Sequence, residues 1–241
     1  MEIMHINNLS KNLGEEKILH NISFSIEQGE FVGIIGPNGA GKTTLFKCIT
    51  GQLSVSEDCI SITKYDIAKQ SFFAKQSFGY ACEPSILPTQ LTGKQFLTLI
   101  LASKNIEVSE NEMVFFLDML SLKHKIEHSI GTYSQGMKQK LSIISALVGK
   151  PKLIILDESL NGLDPVSSYH LKNYLKEITG KKESAVLLSS HLIDSIEKYC
   201  SKVIMIYEGK LRKIWTREEL LQEKKETQKD LEQLFMEIIL Q

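Results

Sequence analysis

Short apolar runs, each bounded by glycine or charged residues, recur along the chain. The run Phe31–Ile35 is followed by a glycine-rich turn, a pattern typical of a parallel strand that is buried on both faces. Residues 42–50 then predict a helix that Gly51 ends. Similar apolar runs follow at 153–156 and 185–188. Buried strands separated by helical segments indicate an α/β fold.

The middle of the chain has a different pattern. Thr92 with Gln95, and Ser109 with Glu112, have the spacing of the capping box, in which two side chains satisfy each other's free helix amides. Each pair precedes an apolar run with helical spacing. We therefore predict an all-helical insertion over about residues 84–140.

The last part of the chain predicts a hairpin followed by a helix. Two runs, at 202–206 and 211–215, flank a turn at 208–209, which is the arrangement of a β-hairpin. A third capping box starts at Thr216. It predicts a charged C-terminal helix over about residues 216–241.

Size and charge limit the possible organisation and partners. The chain has 241 residues, of which 42% are hydrophobic, enough for one well-filled core and not clearly for two. We predict a single domain whose core is formed by about residues 1–83 and 141–215. Lys and Arg number 28 against 29 Asp and Glu, so the basic excess that attracts nucleic acid is missing. We expect no nucleic-acid partner.

The sequence also predicts the cellular compartment. Its first residues lack the basic start and apolar run of a signal peptide, and the longest apolar runs are far shorter than the roughly 18 residues that mark a membrane-spanning helix. The four cysteines, Cys48, Cys59, Cys82 and Cys200, show no CxxC spacing, which favours reduced thiols over a disulfide framework or a zinc site. We expect a cytoplasmic protein with no direct membrane insertion.

The glycine-rich turn after the first apolar run predicts a phosphate-binding loop. It matches GxxxxGK[ST] and lies between a predicted strand and a helix start. Backbone amides in such a turn point at phosphates, and the helix N-terminus adds positive partial charge. We expect Lys42 to reach the β and γ phosphates of ATP and the Thr43 hydroxyl to bind Mg²⁺. The predicted nucleotide-binding residues here are Gly36, Pro37, Asn38, Gly39, Ala40, Gly41, Lys42, Thr43 and Thr44.

Two adjacent carboxylates, Asp157 and Glu158, end the apolar run at 153–156. Beside a phosphate-binding loop, one carboxylate at a strand end lies near the metal and the next acts on the attacking water. We predict Asp157 as a Mg²⁺ ligand and Glu158 as the catalytic base. Without a phosphate-binding loop elsewhere in the sequence, the same two carboxylates would indicate only the solvent-exposed start of a surface loop.

With both motifs present, the chain resembles the nucleotide-binding subunits of ABC transporters over nearly its whole length, most closely those of exporters with a separate permease. The run YSQGMKQ at 133–139 is similar to the family's LSGGQ signature. The resemblance implies an α/β P-loop NTPase core with a mixed sheet, an N-terminal antiparallel β part and an all-helical insertion subdomain. It also implies a nucleotide-sandwich dimer, a homodimer or a heterodimer, in which Ser134 and Gly136 face the γ-phosphate held by the other subunit.

Further positions match motifs of the same family. Asp164 falls in a stretch that looks like the D-loop, which implies a role in nucleotide binding. His191 stands where the family has the histidine that contacts the γ-phosphate and the attacking water. Glu83 occupies the Q-loop position near the metal, where many relatives have glutamine. Leu13 stands where relatives have an aromatic residue that stacks on adenine. This last departure predicts poor discrimination between ATP and GTP.

The resemblance implies a function as well as a fold. It describes an ATP-hydrolysing subunit, peripheral on the inner face of the cell membrane, that powers export through an integral-membrane permease docked between insertion and core. The alternative is a soluble ABC-type ATPase in a process such as cofactor assembly, which the sequence leaves open. A regulatory module without hydrolysis is disfavoured, because Glu158 and His191 are both present.

Overall fold

The computed structural model describes residues 1–190 and 193–240. Its strands are β1 (Glu2–Leu13), β2 (Glu16–Glu27), β3 (Phe31–Ile35), β4 (Ile60–Ile62), β5 (Tyr65–Asp66), β6 (Phe78–Ala81), β7 (Leu153–Asp157), β8 (Ala185–Ser189), β9 (Lys202–Tyr207) and β10 (Lys210–Thr216). The α-helices are α1 (Lys42–Ile49), α2 (Ser71–Gln76), α3 (Gly93–Ser103), α4 (Glu110–Met119), α5 (Gln135–Leu147), α6 (Pro165–Gly180), α7 (Ile193–Tyr199), α8 (Arg217–Thr227) and α9 (Leu231–Leu240). Short 3-10 helices lie at Pro84–Ile86, Lys123–Lys125 and Ile130–Thr132.

The larger sheet positions the ends of several strands at one edge. Among the described residues its strand order is β10-β9-β3-β8-β7-β6, and all neighbours are parallel except β9 and β10, which form the predicted hairpin. Since parallel strands end at the same edge, the end of β3 lies near the ends of β7 and β8. Asp157 of β7 is directly opposite Ser189 of β8. The predicted mixed sheet is confirmed.

A second, antiparallel sheet covers the first helix. Its order is β2-β1-β4-β5, and it contains the N-terminal strands. Helix α1 contributes Leu45 and Ile49 to one apolar core that also contains Ile6 of β1, Ile22 of β2 and Ile34 of β3. The helix after the phosphate-binding loop is therefore held by both sheets. The predicted antiparallel N-terminal part is also confirmed.

The insertion between β6 and α5 is helical, as the capping boxes predict. The box of Thr92 and Gln95 is complete at the start of α3. Of the second predicted box, only one of the two hydrogen bonds forms. Ser109 accepts from the Glu112 amide at 3.2 Å, but the Glu112 side chain does not return to Ser109, because its Oε1 accepts from the Gly149 amide at 2.9 Å. A tertiary contact has replaced the local one, and it ties the insertion to the loop after α5.

Helix α5, which follows the YSQGMKQ run, packs unusually close to the sheet. A Cβ built on Gly79 of β6 would lie 1.8 Å from the carbonyl oxygen of Ala146 in α5. Only glycine allows this approach, because any side chain would overlap the helix backbone. The position of α5 relative to the sheet edge is set by this contact.

The C-terminal region corrects one prediction. Residues 216–241 form not one helix but two in their described part, because Gln228 has a left-handed backbone at φ 58 and ends α8. Asp230 then caps α9 by accepting from the Gln233 amide at 2.8 Å. The break lets α9 bury Leu234 in the core, an apolar contact that a continuous polar helix would lose. None of the described helices combines the length and apolar character that a membrane span requires.

Candidate active site

The turn between β3 and α1 surrounds a cavity of about 260 Å³. Of the predicted loop residues, Gly36 contacts the loop through its carbonyl oxygen, which accepts from Lys42 Nζ, and the others line the cavity wall. Two residues from elsewhere complete the wall, Ile18 of β2 and Glu158 after β7. The loop residues on the wall are Pro37, Asn38, Gly39, Ala40, Gly41, Lys42, Thr43 and Thr44. The structure thus brings together the residues predicted to bind phosphate.

Lys42 is held inside this turn by its own backbone. The residue is only 5% exposed, and its Nζ donates to the carbonyl oxygens of Gly36 at 2.6 Å and Pro37 at 3.0 Å. Burial lowers the pKa of Lys42, and the nearby carboxylates of Glu158 and Asp157 oppose this shift. The ammonium group is therefore oriented before any phosphate arrives, and a phosphate oxygen would give it a charged partner.

The loop is supported from the side by the β9–β10 turn. The Gly209 amide donates to the Ala40 carbonyl at 3.1 Å, and the Gly209 carbonyl accepts from the His20 amide at 2.8 Å. A Cβ on Gly209 would lie 1.9 Å from the Ile18 carbonyl oxygen, so the turn must be glycine here. These contacts hold β2 beside the loop and place Ile18 at the cavity.

The carboxyl ends of β7 and β8 are joined through Ser189. The Ser189 hydroxyl donates to Asp157 Oδ1 at 2.5 Å and accepts from the Glu158 amide at 2.9 Å. Burial raises the pKa of Asp157, while the hydrogen bond from Ser189 and the charge of Lys42 act in the opposite direction. A cation bound beside this carboxylate would favour its ionised form in the same way.

Glu158 adopts an uncommon backbone conformation. Its φ is 50 degrees, in the left-handed region that non-glycine residues seldom occupy and that costs free energy unless neighbours enforce it. Asn161 supplies part of that enforcement: its amide donates to the Glu158 carbonyl at 3.1 Å, and its Nδ2 donates to Glu158 Oε2 at 3.2 Å. The strained turn directs the Glu158 side chain to the wall of the phosphate-binding cavity.

A second cavity, of about 490 Å³, adjoins the first and contains the three predicted metal ligands. Thr43, Glu83 and Asp157 all line it, together with Glu158. Glu83 accepts from the Ser85 hydroxyl at 2.6 Å. These are hard oxygen donors, which Mg²⁺ prefers, and Mg²⁺ usually takes its other ligands from water and phosphate. The donor set fits that ion, although the described residues contain no group of three or more His, Cys, Asp or Glu able to hold a metal unaided.

The predicted signature residues lie elsewhere. Ser134 caps α5 by accepting from the Met137 amide at 3.3 Å, and its side chain is exposed. A Cβ on Gly136 would lie 3.3 Å from the Gly162 carbonyl oxygen, so the signature contacts the stretch predicted as the D-loop. Among the described residues that line the two cavities, neither Ser134 nor Gly136 appears.

Asp164 links these two segments within the chain. Its carboxylate caps α6 by accepting from the Ser167 amide at 2.9 Å and hydroxyl at 2.7 Å, and it pairs with Lys140 of α5 at 2.6 Å. The hydrogen bond from Lys140 and those from Ser167 hold the pKa of Asp164 well below its usual range. Within the chain the Asp164 side chain joins α5 to α6. Asp164 is not among the described lining residues of the two cavities, so its role in nucleotide binding remains a prediction.

Comparison with known proteins decides the family. The family model described as ABC transporter matches residues 19–161, more than half of the chain. The chain belongs to the ABC transporter family. It is 33% identical over 210 residues to the uncharacterized ABC transporter ATP-binding protein YdbJ of Bacillus subtilis, covering 87% of this chain and 68% of that protein.

A second relative and a solved structure match the chain along nearly its whole length. The chain is 29% identical over 238 residues to the lantibiotic transport ATP-binding protein SrtF of Streptococcus pyogenes, covering 99% of this chain and 98% of that protein. A solved ATP-binding subunit of an ABC transporter superposes with a TM-score of 0.89 at 28% identity, covering 98% of this chain and 99% of that one. The predicted fold is confirmed, and the chain is an ABC ATPase subunit.

Two further predicted positions of this ABC subunit, Leu13 and His191, stay predictions. Leu13 ends β1 with 44% exposure and is not one of the described lining residues, so its contact with adenine remains a prediction. His191 lies outside the described residues. Sequence reasoning missed Ile18, which lines the phosphate-binding cavity and has no sequence signal beyond its place in a strand. It also assigned no role to Gln139, the last residue of the YSQGMKQ run, which lines the second cavity.

Proposed function

We propose that this ABC ATPase subunit powers export through a separate membrane permease. The observation that carries the proposal is the position of Glu158, at the end of β7 and on the wall of the phosphate-binding cavity, where a carboxylate can act on water beside a bound γ-phosphate. The likeness to a protein named for lantibiotic transport, which extends over 99% of this chain, supports export and makes antimicrobial peptides the first substrate class to test.

Each catalytic group has a separate task. Lys42 and the loop amides bind and orient the phosphates of ATP. Glu158 accepts a proton from the water that attacks the γ-phosphorus, and the bond to the β–γ bridging oxygen breaks, which releases ADP and phosphate. His191 is proposed to contact the same water. Mg²⁺ held by Thr43, Asp157 and Glu83 would neutralise charge on the phosphate oxygens.

Two chains are proposed to share each pair of ATP molecules. The exposed start of α5 at Ser134 supplies helix amides that favour an anion, yet Ser134 is not among the described residues that line its own chain's two cavities. A second subunit, identical or related, would present its phosphates there. The signature of one chain and the phosphate-binding loop of the other would then close on one nucleotide.

The permease is proposed to dock in the groove between helix α3 and the edge of the larger sheet. This groove, hereafter the α3 groove, has a volume of about 350 Å³. It shares the lining residues Gln52, Tyr80, Cys82 and Ile86 with the cavity that contains the metal ligands. A helix inserted there would contact the segment that leads to Glu83, so closure of the nucleotide site would reach the permease. The subunit would then lie on the inner face of the cell membrane.

The test is reconstitution with the membrane protein encoded beside this chain. We expect the two to co-purify and to hydrolyse ATP in proteoliposomes, with transport of a lantibiotic-type peptide, and we expect Glu158→Gln to abolish both activities. A chain that retains no membrane protein and hydrolyses ATP equally well without one would contradict the proposal in favour of a soluble ATPase.

A further inference from the structure

The α3 groove has a one-sided charge. Phe78, Leu87 and Phe96 form much of its apolar wall, and the described lining residues include two lysines, Lys75 and Lys104, but no aspartate or glutamate. A surface of this kind is complementary to an apolar partner that brings negative charge.

Lys104 extends from the end of α3 into this groove. Its Nζ donates to the Phe78 carbonyl at 2.5 Å, and burial lowers the pKa of its ammonium group to about 8. No ion pair of Lys104 occurs with any carboxylate in the described part of the chain. A half-buried cation with a neutral partner alone is destabilising, and a carboxylate would offset that cost.

Another lysine of the same helix shows the contrast. Lys94, at the opposite end of α3, is exposed and forms an ion pair with Glu127 at 2.8 Å. The exposed lysine thus has an acidic partner within the chain, while the one in the groove contacts a backbone carbonyl. Burial without a charged partner is the less common arrangement for lysine.

The mouth of the groove offers apolar contacts to a partner. Ile86 lines the groove although it is 65% exposed, and the half-buried Ile100 of α3 lines it as well. Apolar side chains that line a groove and remain open to solvent favour an amphipathic helix as its occupant.

We infer that the permease segment docked in the α3 groove is an amphipathic helix that carries an aspartate or glutamate among its apolar residues, and that this carboxylate pairs with Lys104. The inference rests on the proposed function, since it names the chemistry of the partner at the proposed docking site. The pair would be shielded from water by the walls of the groove, which strengthens it relative to a surface pair.

Charge reversal in the full complex tests the inference. Lys104→Glu should weaken binding of the co-purified membrane protein by about thirtyfold or more, as expected for breaking a desolvated charge pair, whereas Lys104→Arg should retain most of it. Lys94→Glu is the matched control and should leave the complex intact. The ATPase activity of each isolated variant reports whether the subunit is folded.

A second experiment reverses the charge of single carboxylate residues in the permease. Each Asp and Glu in its cytoplasmic segments is changed to Lys, one at a time, and combined with Lys104→Glu. Restored binding by one such change, with no rescue from the others, would support the pairing.

Other outcomes separate this inference from the proposed function. If Ile86→Asp breaks the complex while Lys104→Glu does not, the permease docks in the groove but the pairing is wrong. If neither change has an effect, docking lies elsewhere and the inference fails. If Lys104→Glu instead alters self-association of the isolated chain, the groove belongs to an interface between copies. A parent chain that binds no membrane protein overturns the proposed function itself.

Discussion

The phosphate-binding region and the signature region differ in how much of a nucleotide site a single chain supplies. Around the phosphate-binding loop, the functional groups contact one another: Lys42 is bound by the loop carbonyls, and Asp157 is bound by Ser189. At the signature, Ser134 caps its own helix and Asp164 joins that helix to the next. The first region, hereafter the loop half, forms the phosphate-binding cavity, and the second, hereafter the signature half, forms a surface held by contacts between α5 and α6.

This difference suggests a division of labour. The loop half needs buried, preorganised charge, because its task is to hold phosphate and act on water. The signature half needs an accessible helix start that is fixed in position, because its ligand is bound to another chain. The ion pair of Lys140 with Asp164 helps to fix α5 relative to α6. We expect mutations in the two halves to differ accordingly.

The largest effect is expected in the loop half. Glu158→Gln should retain ATP binding and reduce kcat by roughly a hundredfold to ten-thousandfold, the usual contribution of a general base. The amide keeps the size and polarity of the carboxylate but cannot take the proton. Nucleotide titration and steady-state turnover measure the two effects, with the exposed Glu183→Gln as a control. Turnover close to that of the parent would remove Glu158 from its proposed role.

The next prediction tests whether the two halves come from different chains. Lys42→Ala and Ser134→Arg should each inactivate a dimer made of that variant alone. A mixed dimer would contain one site with both defects and one with neither, so activity should return. Two controls are needed: formation of the mixed dimer is measured independently, and a dimer with one blocked site must be shown to hydrolyse ATP. If both controls succeed, an inactive mixed dimer would contradict the idea that each ATP site is formed by two chains.

A smaller effect is expected from apolar residues predicted to contact the nucleotide. Ile18 lines the cavity, so Ile18→Ala should weaken ATP and GTP binding alike by about fivefold, the equivalent of about 1 kcal/mol of lost apolar contact. Leu13→Tyr should tighten ATP binding by about fivefold if residue 13 faces the base. Titration without hydrolysis measures both. Equal affinities of parent and Leu13→Tyr would mean that residue 13 does not face the base.

The smallest effect is expected from the contact that supports the signature half. A double-mutant cycle with Lys140→Met and Asp164→Asn should give a coupling of about 0.5 kcal/mol at neutral pH, because asparagine still caps α6. The pKa of Asp164 is lowered in the folded chain, so this stabilisation is present above the ordinary carboxyl pKa of about 4 and is lost as the pH falls below it. Urea unfolding at several pH values measures the coupling. A coupling that persists unchanged in acid would show that it does not depend on the Asp164 charge.

Local sequence alone determined the parts of this protein whose physics is local. The strand Phe31–Ile35, the phosphate-binding loop after it and the carboxylates at the end of β7 could be predicted, because a buried strand, a glycine-rich turn and a helix start each leave a pattern within about ten residues. The three capping residues Thr92, Ser134 and Thr216 lie where their spacing predicts. For these elements the tertiary structure agreed with local preference.

Only the tertiary structure decided the contacts between distant parts of the chain. The Glu112 side chain accepts from the Gly149 amide instead of capping its own helix. Contacts with the β9–β10 turn place Ile18 at the cavity. Lys104 lines a groove whose walls come from separate segments of the chain. The C-terminal helix broke at Gln228 so that its apolar end could be buried. Such choices depend on which surfaces meet after folding, and burial and hydrogen bonding across the fold then outweigh the small differences in local propensity that a sequence pattern reports.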